Sequence, residues 1–61
     1  MGMTYREVVK IIKADGWYEV GQVGSHHQFK HLTKPGKVTI PEHKGDLNIK
    51  TAKSIFRLAG L

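Results

Sequence analysis

The sequence predicts an α+β fold in which one helix precedes and one follows three antiparallel strands. Both helices cover the same face of the sheet. Three observations predict it: an N-terminal capping box with an apolar stripe, a C-terminal amphipathic stretch, and short aromatic or β-branched segments between them. A chain of 61 residues is too short for two hydrophobic cores. We therefore expect a single domain over residues 3–61, with an α-β-β-β-α order.

The first helix is predicted from its start signal and its periodicity. The Thr4 hydroxyl can accept a hydrogen bond from the Glu7 backbone N–H, while the Glu7 side chain accepts one from the N–H of Thr4. One apolar stripe follows, made of Tyr5, Val8, Val9 and Ile12. Gly16 can adopt the left-handed conformation that ends a helix, so we expect the helix to stop at Asp15-Gly16.

Three short strands and a second helix are expected after the first helix. The strands are predicted over residues 17–20, 26–32 and 37–40, with turns at 21–25 and 33–36. A polar loop over residues 41–46 leads to a helix over about residues 48–59. Its apolar face consists of Ile49, Ala52, Ile55, Phe56 and Ala59. Both helices should pack on one sheet face, which leaves the other face to solvent or to a ligand.

The composition indicates an anionic partner. Ten Lys and Arg against five Asp and Glu give a net charge of +5, which favours nucleic acid, an anionic membrane or an acidic protein. The absence of cysteine excludes disulfides, thiolate zinc sites and a cysteine nucleophile, and fits a reducing compartment. No apolar run approaches the roughly 18–20 residues of a membrane span, and no signal peptide is visible. We expect a cytoplasmic protein without a membrane partner.

Histidine is the leading candidate for catalysis. The chain has four, and this side chain can both take and give a proton near neutral pH. Side chains alternate along a strand, so His26 and Lys30 face opposite to Phe29. If Phe29 enters the core, His26 lies uncovered beside a lysine.

The other histidines on this strand have a simpler interpretation. His27 and His31 are expected to be ordinary polar residues on a half-exposed strand. They stand roughly 13 Å apart along an extended chain, too far to share a metal ion. We predict no metal site and no cofactor. His43, in the loop after the third strand, is the candidate for a second acid or base.

Basic residues could contact successive phosphates of RNA. Lys30 shares a strand face with His26, while Lys50 and Lys53 stand one helical step apart beside the loop that carries Lys44. An α-β-β-β-α order with lysines at the start of the last helix is the arrangement of double-stranded-RNA-binding domains. We predict RNA contacts at Lys30, Lys44, Lys50 and Lys53.

These residues resemble one family over nearly the whole chain, in order and spacing. The resemblance lies in Asp15-Gly16-Trp17, Gly24-Ser25-His26-His27-Gln28-Phe29, Ile40-Pro41-Glu42-His43-Lys44-Gly45 and Ile55-Phe56-Arg57-Leu58-Ala59-Gly60-Leu61. The set is similar to the HicA toxins, and the Gly-Ser-His element joined with the closing Ala-Gly-Leu makes it fairly specific.

The resemblance implies a type II toxin-antitoxin ribonuclease with a double-stranded-RNA-binding-like fold. Such a toxin cleaves mRNA without a metal cofactor and is silenced by a HicB antitoxin. It also implies that His26, in the Gly-Ser-His element, is the catalytic residue. Two alternatives stay open: a non-catalytic RNA-binding module of the same fold, and a basic domain that only docks an acidic protein.

Overall fold

A computed structural model describes residues 2–61 and contains two helices and five strands in that range. The elements are β1 (Met3–Thr4), α1 (Tyr5–Ala14), β2 (Trp17–Val23), β3 (His26–His31), β4 (Val38–Pro41), β5 (Asp46–Leu47) and α2 (Ile49–Leu58). β2, β3 and β4 form a three-stranded antiparallel sheet in that order. The predicted α+β class and the central sheet are thus confirmed.

Helix α1 starts and ends as its sequence predicts. The Glu7 N–H donates to the Thr4 hydroxyl at 3.1 Å, and the Thr4 N–H donates to the Glu7 carboxylate at 2.9 Å. These bonds satisfy amide groups that would otherwise be unpaired at the helix start. Past the Asp15 cap, Gly16 has a φ of 107° and lies so close to the His31 ring that an added Cβ would stand 2.7 Å from it. Only glycine fits both the conformation and the space.

Both helices pack on one face of the central sheet. Their buried residues meet the alternate strand residues that point the same way, and each fully buried aliphatic or aromatic side chain contributes about 1.5–3 kcal/mol of transfer free energy. The core consists of Val8, Ile12, Trp17, Phe29, Val38, Ile40, Leu47, Ala52, Ile55 and Ala59. The predicted placement of the helices is confirmed, and the opposite sheet face stays uncovered.

Several predicted strand limits are wrong. The first long strand continues to Val23, because a bulge between Glu19 and Gly21 lets pairing with β3 resume. The expected turn over residues 21–25 therefore shrinks to Gly24-Ser25. β3 ends before the exposed Leu32, and β4 runs from Val38 to Pro41 rather than over residues 37–40.

The predicted loop over residues 41–46 contains strand residues at both ends. Pro41 belongs to β4, and Asp46 belongs to β5, which pairs with β1. This small pairing, Thr4 with Asp46, joins the starts of the two helices, because Thr4 caps α1 and β5 ends one residue before the α2 cap, Asn48. Two-residue strands carry no periodicity, so sequence patterns could not reveal them.

The central sheet has two distinct ends. At one, which we call the His26 end, β3 begins, β4 finishes and α1 starts, with the Tyr5 ring 5.1 Å from the His27 ring. At the other, the His31 end, both helices finish: His31 bonds the Asp15 carbonyl, and the Trp17 indole N–H donates to the Ala59 carbonyl. Both helices therefore point their N-termini to the His26 end.

Candidate functional site

His26 lies exposed on the uncovered side of the central sheet. Its register partners are Val23 on β2 and Pro41 on β4. Because Phe29 and His27 on the same strand are buried against the helices, alternation turns His26 and Lys30 the other way. We call this side the open face. It comprises Tyr18, Val23, His26, Gln28, Lys30, Thr39 and Pro41.

His43 reaches the same end of the sheet as His26. The Glu42 N–H donates to the Ser25 carbonyl at 2.6 Å, so the chain after β4 runs beside the turn that precedes His26. His43 is the next residue, and its side chain is exposed. The structure thus brings the two predicted acid-base residues to one end of the molecule.

The predicted RNA-binding lysines are divided between two sides. Lys30 lies on the open face, four residues and roughly 13 Å from His26 along the strand. Lys50 and Lys53 are exposed on α2, which packs against the other sheet face. Lys44 is exposed in the segment between β4 and β5. The four lysines do not form one cluster, and only Lys30 shares the open face with His26.

His27 is not the ordinary half-exposed residue that the sequence indicated. It is 8% exposed and bridges two carboxylates: its Nδ1–H donates to Glu19 at 2.8 Å, and its Nε2–H donates to Glu42 at 2.7 Å. The hydrogen bonds to Glu19 and Glu42 raise the pKa of His27, against the effect of burial. Because ionised carboxylates can only accept, the bridge is strongest when His27 carries a proton on both nitrogens, as an imidazolium.

The carboxylates also affect the tyrosine beside them. Burial, followed by the negative charges of Glu19 and Glu42, raises the pKa of the Tyr5 phenol. The phenol therefore stays neutral and packs its ring against His27. We call Glu19, His27 and Glu42 the carboxylate clamp, because it ties β2, β3 and the segment after β4 together.

Sequence reasoning missed the two glutamates of the clamp and assigned Glu42 to a polar loop. A signal was present: His27 shares a strand face with Phe29, so a buried Phe29 places His27 in the core as well. A buried imidazole requires partners for both nitrogens. The partners themselves follow from strand register and the β2 bulge, which the sequence pattern does not specify.

His31 is likewise engaged, in a different way. Its Nε2–H donates to the Asp15 carbonyl at 2.7 Å, and its Nδ1 accepts from the backbone N–H groups of Thr33 and Lys34 at 3.1 and 3.2 Å. Its ring meets the Trp17 ring edge-on at 5.3 Å. This residue holds the His31 end together and offers no free nitrogen for chemistry.

Lys34, between β3 and β4, also has a structural role. Its ammonium pairs with the Asp15 carboxylate and donates to the Ala59 carbonyl at 3.1 Å. A cation at this place suits the negative ends of two helix dipoles. The hydrogen bond from Lys34 lowers the pKa of Asp15.

Neither strand histidine of the buried face is available to a metal. Both ring nitrogens of His27 and of His31 take part in hydrogen bonds. Across residues 2–61 there is no group of three His, Asp or Glu side chains arranged to hold a metal ion. Within that range, too, neither helix has the length and apolar character needed to cross a membrane.

Comparisons with known proteins identify the family. The family model described as "HicA toxin of bacterial toxin-antitoxin" matches residues 5–61. A solved structure, "Toxin-Antitoxin complex from Streptococcus pneumoniae", contains a chain that is 37% identical and superposes with a TM-score of 0.82, over 97% of this chain and 98% of that one. A comparison with curated proteins found no significant match. Since the family model spans nearly the whole sequence, the chain belongs to the HicA family of toxins from bacterial toxin-antitoxin systems.

Proposed function

We propose that this HicA-family toxin is a metal-independent endoribonuclease that cleaves mRNA, with His26 as its acid-base catalyst. One observation carries the proposal: His26 is exposed on a sheet face that bears Lys30 and no carboxylate. An imidazole in such a place can approach a phosphodiester without repelling it. Because mRNA is the substrate, the cytoplasm is the proposed place of action.

The chemistry needs one group to remove a proton and one to supply it. Neutral His26 takes the proton of a ribose 2′-hydroxyl, whose oxygen bonds to the adjacent phosphorus while the bond to the 5′-oxygen of the next nucleotide breaks. The leaving 5′-oxygen then receives a proton from an imidazolium. The products are a 2′,3′-cyclic phosphate and a free 5′-hydroxyl, so no water or metal is consumed in this step.

His43 is the proposed second acid or base. Its support is its position, one residue beyond the Glu42 amide that bonds the Ser25 carbonyl beside His26. Two histidines at one end can share the proton transfers, one as base and one as acid. Removing His43 should then alter one limb of the pH-rate profile, whereas removing His26 should abolish cleavage at every pH.

The lysines are proposed to hold the RNA backbone. Lys30 lies too far along β3 to touch the scissile phosphate, so it suits a neighbouring one. Lys44 lies after β4 at the His26 end, and Lys50 and Lys53 lie in the first half of α2, whose N-terminus points to that end. Their removal should weaken binding uniformly across sequences and reduce its salt dependence.

We also propose that a HicB-type antitoxin inhibits the toxin by covering His26. The similar Streptococcus pneumoniae chain comes from a toxin-antitoxin complex, and a net charge of +5 favours an acidic contact surface on the partner. An antitoxin bound only to the outer sides of the helices would contradict this arrangement.

The deciding experiment follows RNA over time on a gel, in the presence of a chelator. Wild-type protein should produce fragments, and His26→Ala should produce none while it still binds RNA and melts at the wild-type temperature. Lys10→Ala, an exposed change on α1, serves as the matched surface control. Undiminished cleavage by His26→Ala would remove His26 from the mechanism.

The same gel and a binding assay separate the two alternatives. Salt-sensitive RNA binding without any product would indicate a non-catalytic RNA-binding module. No RNA affinity even at low salt would indicate a basic domain that docks an acidic protein.

A further inference from the structure

Tyr18 is a large aromatic side chain left uncovered on the open face. Its neighbour Trp17 is 2% exposed in the core, whereas Tyr18 is 45% exposed. Its register partner is Lys30, directly across on β3. A tyrosine that gains little from the core and stands beside a cation has the surface that nucleic-acid bases use for stacking.

We propose that the open face binds single-stranded RNA, with a base stacked on the Tyr18 ring and the strand running from there towards His26. The proposal rests on the proposed function only for the cleavage at His26. The binding itself is an independent property of the face.

The cations on this face follow the proposed path. Lys37, just before β4, donates from its ammonium to the Gln28 side chain at 3.2 Å. Gln28 lies on β3 between His26 and Lys30, so the bond holds the Lys37 charge over the middle of the face. Lys30 supplies a second charge beside Tyr18. Both can contact backbone phosphates of the segment that leads to His26.

The spacing suits a short run of nucleotides. Tyr18, opposite Lys30, is four strand positions from the level of His26, or roughly 13 Å. This leaves room for nucleotides between the stacked base and the scissile phosphate. Next to His26, Val23 is 67% exposed and adds apolar surface for a base or ribose.

The stacking contact determines whether the bound RNA is single-stranded or double-stranded. Stacking on a side chain needs an unpaired base, whose π-face is free, and is tolerant of base identity. In an A-form duplex the bases are stacked on one another and out of reach. A face with one accessible aromatic ring, two lysines and no carboxylate therefore favours single-stranded RNA over both a duplex and a basic protein.

The test uses a fluorescent, fully 2′-O-methylated single-stranded oligonucleotide, which lacks the 2′-hydroxyl and so is not cleaved. Because stacking on an aromatic ring contributes much of the affinity for a single strand, Tyr18→Ala should weaken binding roughly tenfold. Tyr18→Phe should restore most of the affinity, because it keeps the ring. Lys10→Ala on α1 is the charge control, and the same oligonucleotide annealed to its complement is the strandedness control. Wild-type affinity in Tyr18→Ala, or equal affinity for the duplex, would overturn the proposal.

A second measurement covers the case of a damaged fold. On titration of wild-type protein with the oligonucleotide, amide NMR shifts should change in β2 and β3 around Tyr18, Gln28 and Lys30. Shifts confined to α1 and α2 would overturn the proposal without any variant. Cleavage of unmodified RNA is followed separately: binding at Tyr18 without cleavage would refute the endoribonuclease, and cleavage that ignores Tyr18→Ala would refute the stacking site.

Discussion

His27 and His31 stand four residues apart on β3, face the same helices and both use two ring nitrogens in hydrogen bonds. They differ in what they contact. His27 meets carboxylates on both sides, whereas His31 donates to a backbone carbonyl and accepts from backbone N–H groups. The Nδ1 of His31 therefore carries no proton, because it accepts from backbone N–H groups, whereas both nitrogens of His27 face carboxylates and can each donate.

The difference shows how partners, rather than residue type, decide a histidine's role. At the His31 end, the His31 ring packs beside Trp17 and closes the C-termini of both helices together with Lys34. At the His26 end, the carboxylate clamp ties down the segment that leads to His43. The His31 end is therefore held by packing and by bonds to the backbone, and the end with the proposed chemistry is held by a histidine between two carboxylates.

The largest expected effect is a loss of stability at the His31 end. Trp17→Ala removes a buried aromatic ring and its indole bond to the Ala59 carbonyl, which should cost about 3–5 kcal/mol of unfolding free energy. At ~0.05–0.15 kcal/mol per residue, the whole domain has roughly 3–9 kcal/mol. We expect the variant to be largely unfolded by circular dichroism at room temperature, and Trp17→Phe to fold. A folded Trp17→Ala would show that this end is not the anchor.

A smaller loss is expected from His31→Ala at pH 7. It leaves the Asp15 carbonyl and two backbone N–H groups without their partner, at a cost of about 1–3 kcal/mol. Urea denaturation measures it. His31→Gln can replace one of these bonds and should recover part of the loss. If Ala and Gln variants are equally stable, the hydrogen bonds are not what His31 contributes.

Local signals explain which parts of the fold the sequence could predict. The Thr4–Glu7 capping box lies within four residues, and the alternation that exposes His26 when Phe29 is buried needs only one strand. Both therefore appear in the sequence. The pairing of Thr4 with Asp46 joins residues far apart in the chain and leaves no pattern.

The clamp lies beyond sequence reasoning for the same reason. Glu19 reaches His27 across a bulged register, and Glu42 reaches it from the segment after β4. Lys34 likewise depends on Asp15, which lies 19 residues away in the chain. The candidate site is known by position, since the structure places His26 on the open face and His43 at the same end, while their roles in cleavage stay predictions.

The clamp should make the His26 end sensitive to pH. The pKa of His27 is raised in the folded protein, above an ordinary value of about 6.5. The folded state therefore holds the proton more tightly than the unfolded one. The stability gained is complete below pH ~6.5 and is lost as the pH rises through the raised pKa. The urea midpoint of His27→Gln should thus lie furthest below wild type near pH 6, and the gap should narrow towards pH 9.

The control for this titration is Trp17→Phe, which changes no ionisable group. Its difference in urea midpoint from wild type should stay nearly constant over the same pH range. NMR of the His27 ring reports its protonation directly. If the difference in urea midpoint between His27→Gln and wild type widens as the pH rises, a protonated His27 does not stabilise the carboxylate clamp. If the clamp also positions His43, RNA cleavage by wild type should fall over the same pH range in which the His27 ring loses its proton.

The smallest effect on stability is expected for Asp15→Asn, which tests whether charge contributes to stability at the His31 end. The hydrogen bond from Lys34 lowers the pKa of Asp15 below its ordinary value of about 3.9. The stability from this pair is therefore present above pH ~3.9 and is lost as the pH falls through the lowered pKa. Both side chains are partly exposed, so solvent screens the pair and the loss at pH 7 should be slight. The difference in urea midpoint between Asp15→Asn and wild type should disappear in acid and in 1 M salt, where screening is strong.

Asp46→Asn, on an exposed residue of β5, is the matched control. A gap that stays constant on acidification would mean that Asp15 does not act through its charge. Closure in acid would show that the two ends of one sheet titrate in opposite directions, the His31 end losing stability as the pH falls and the His26 end as it rises.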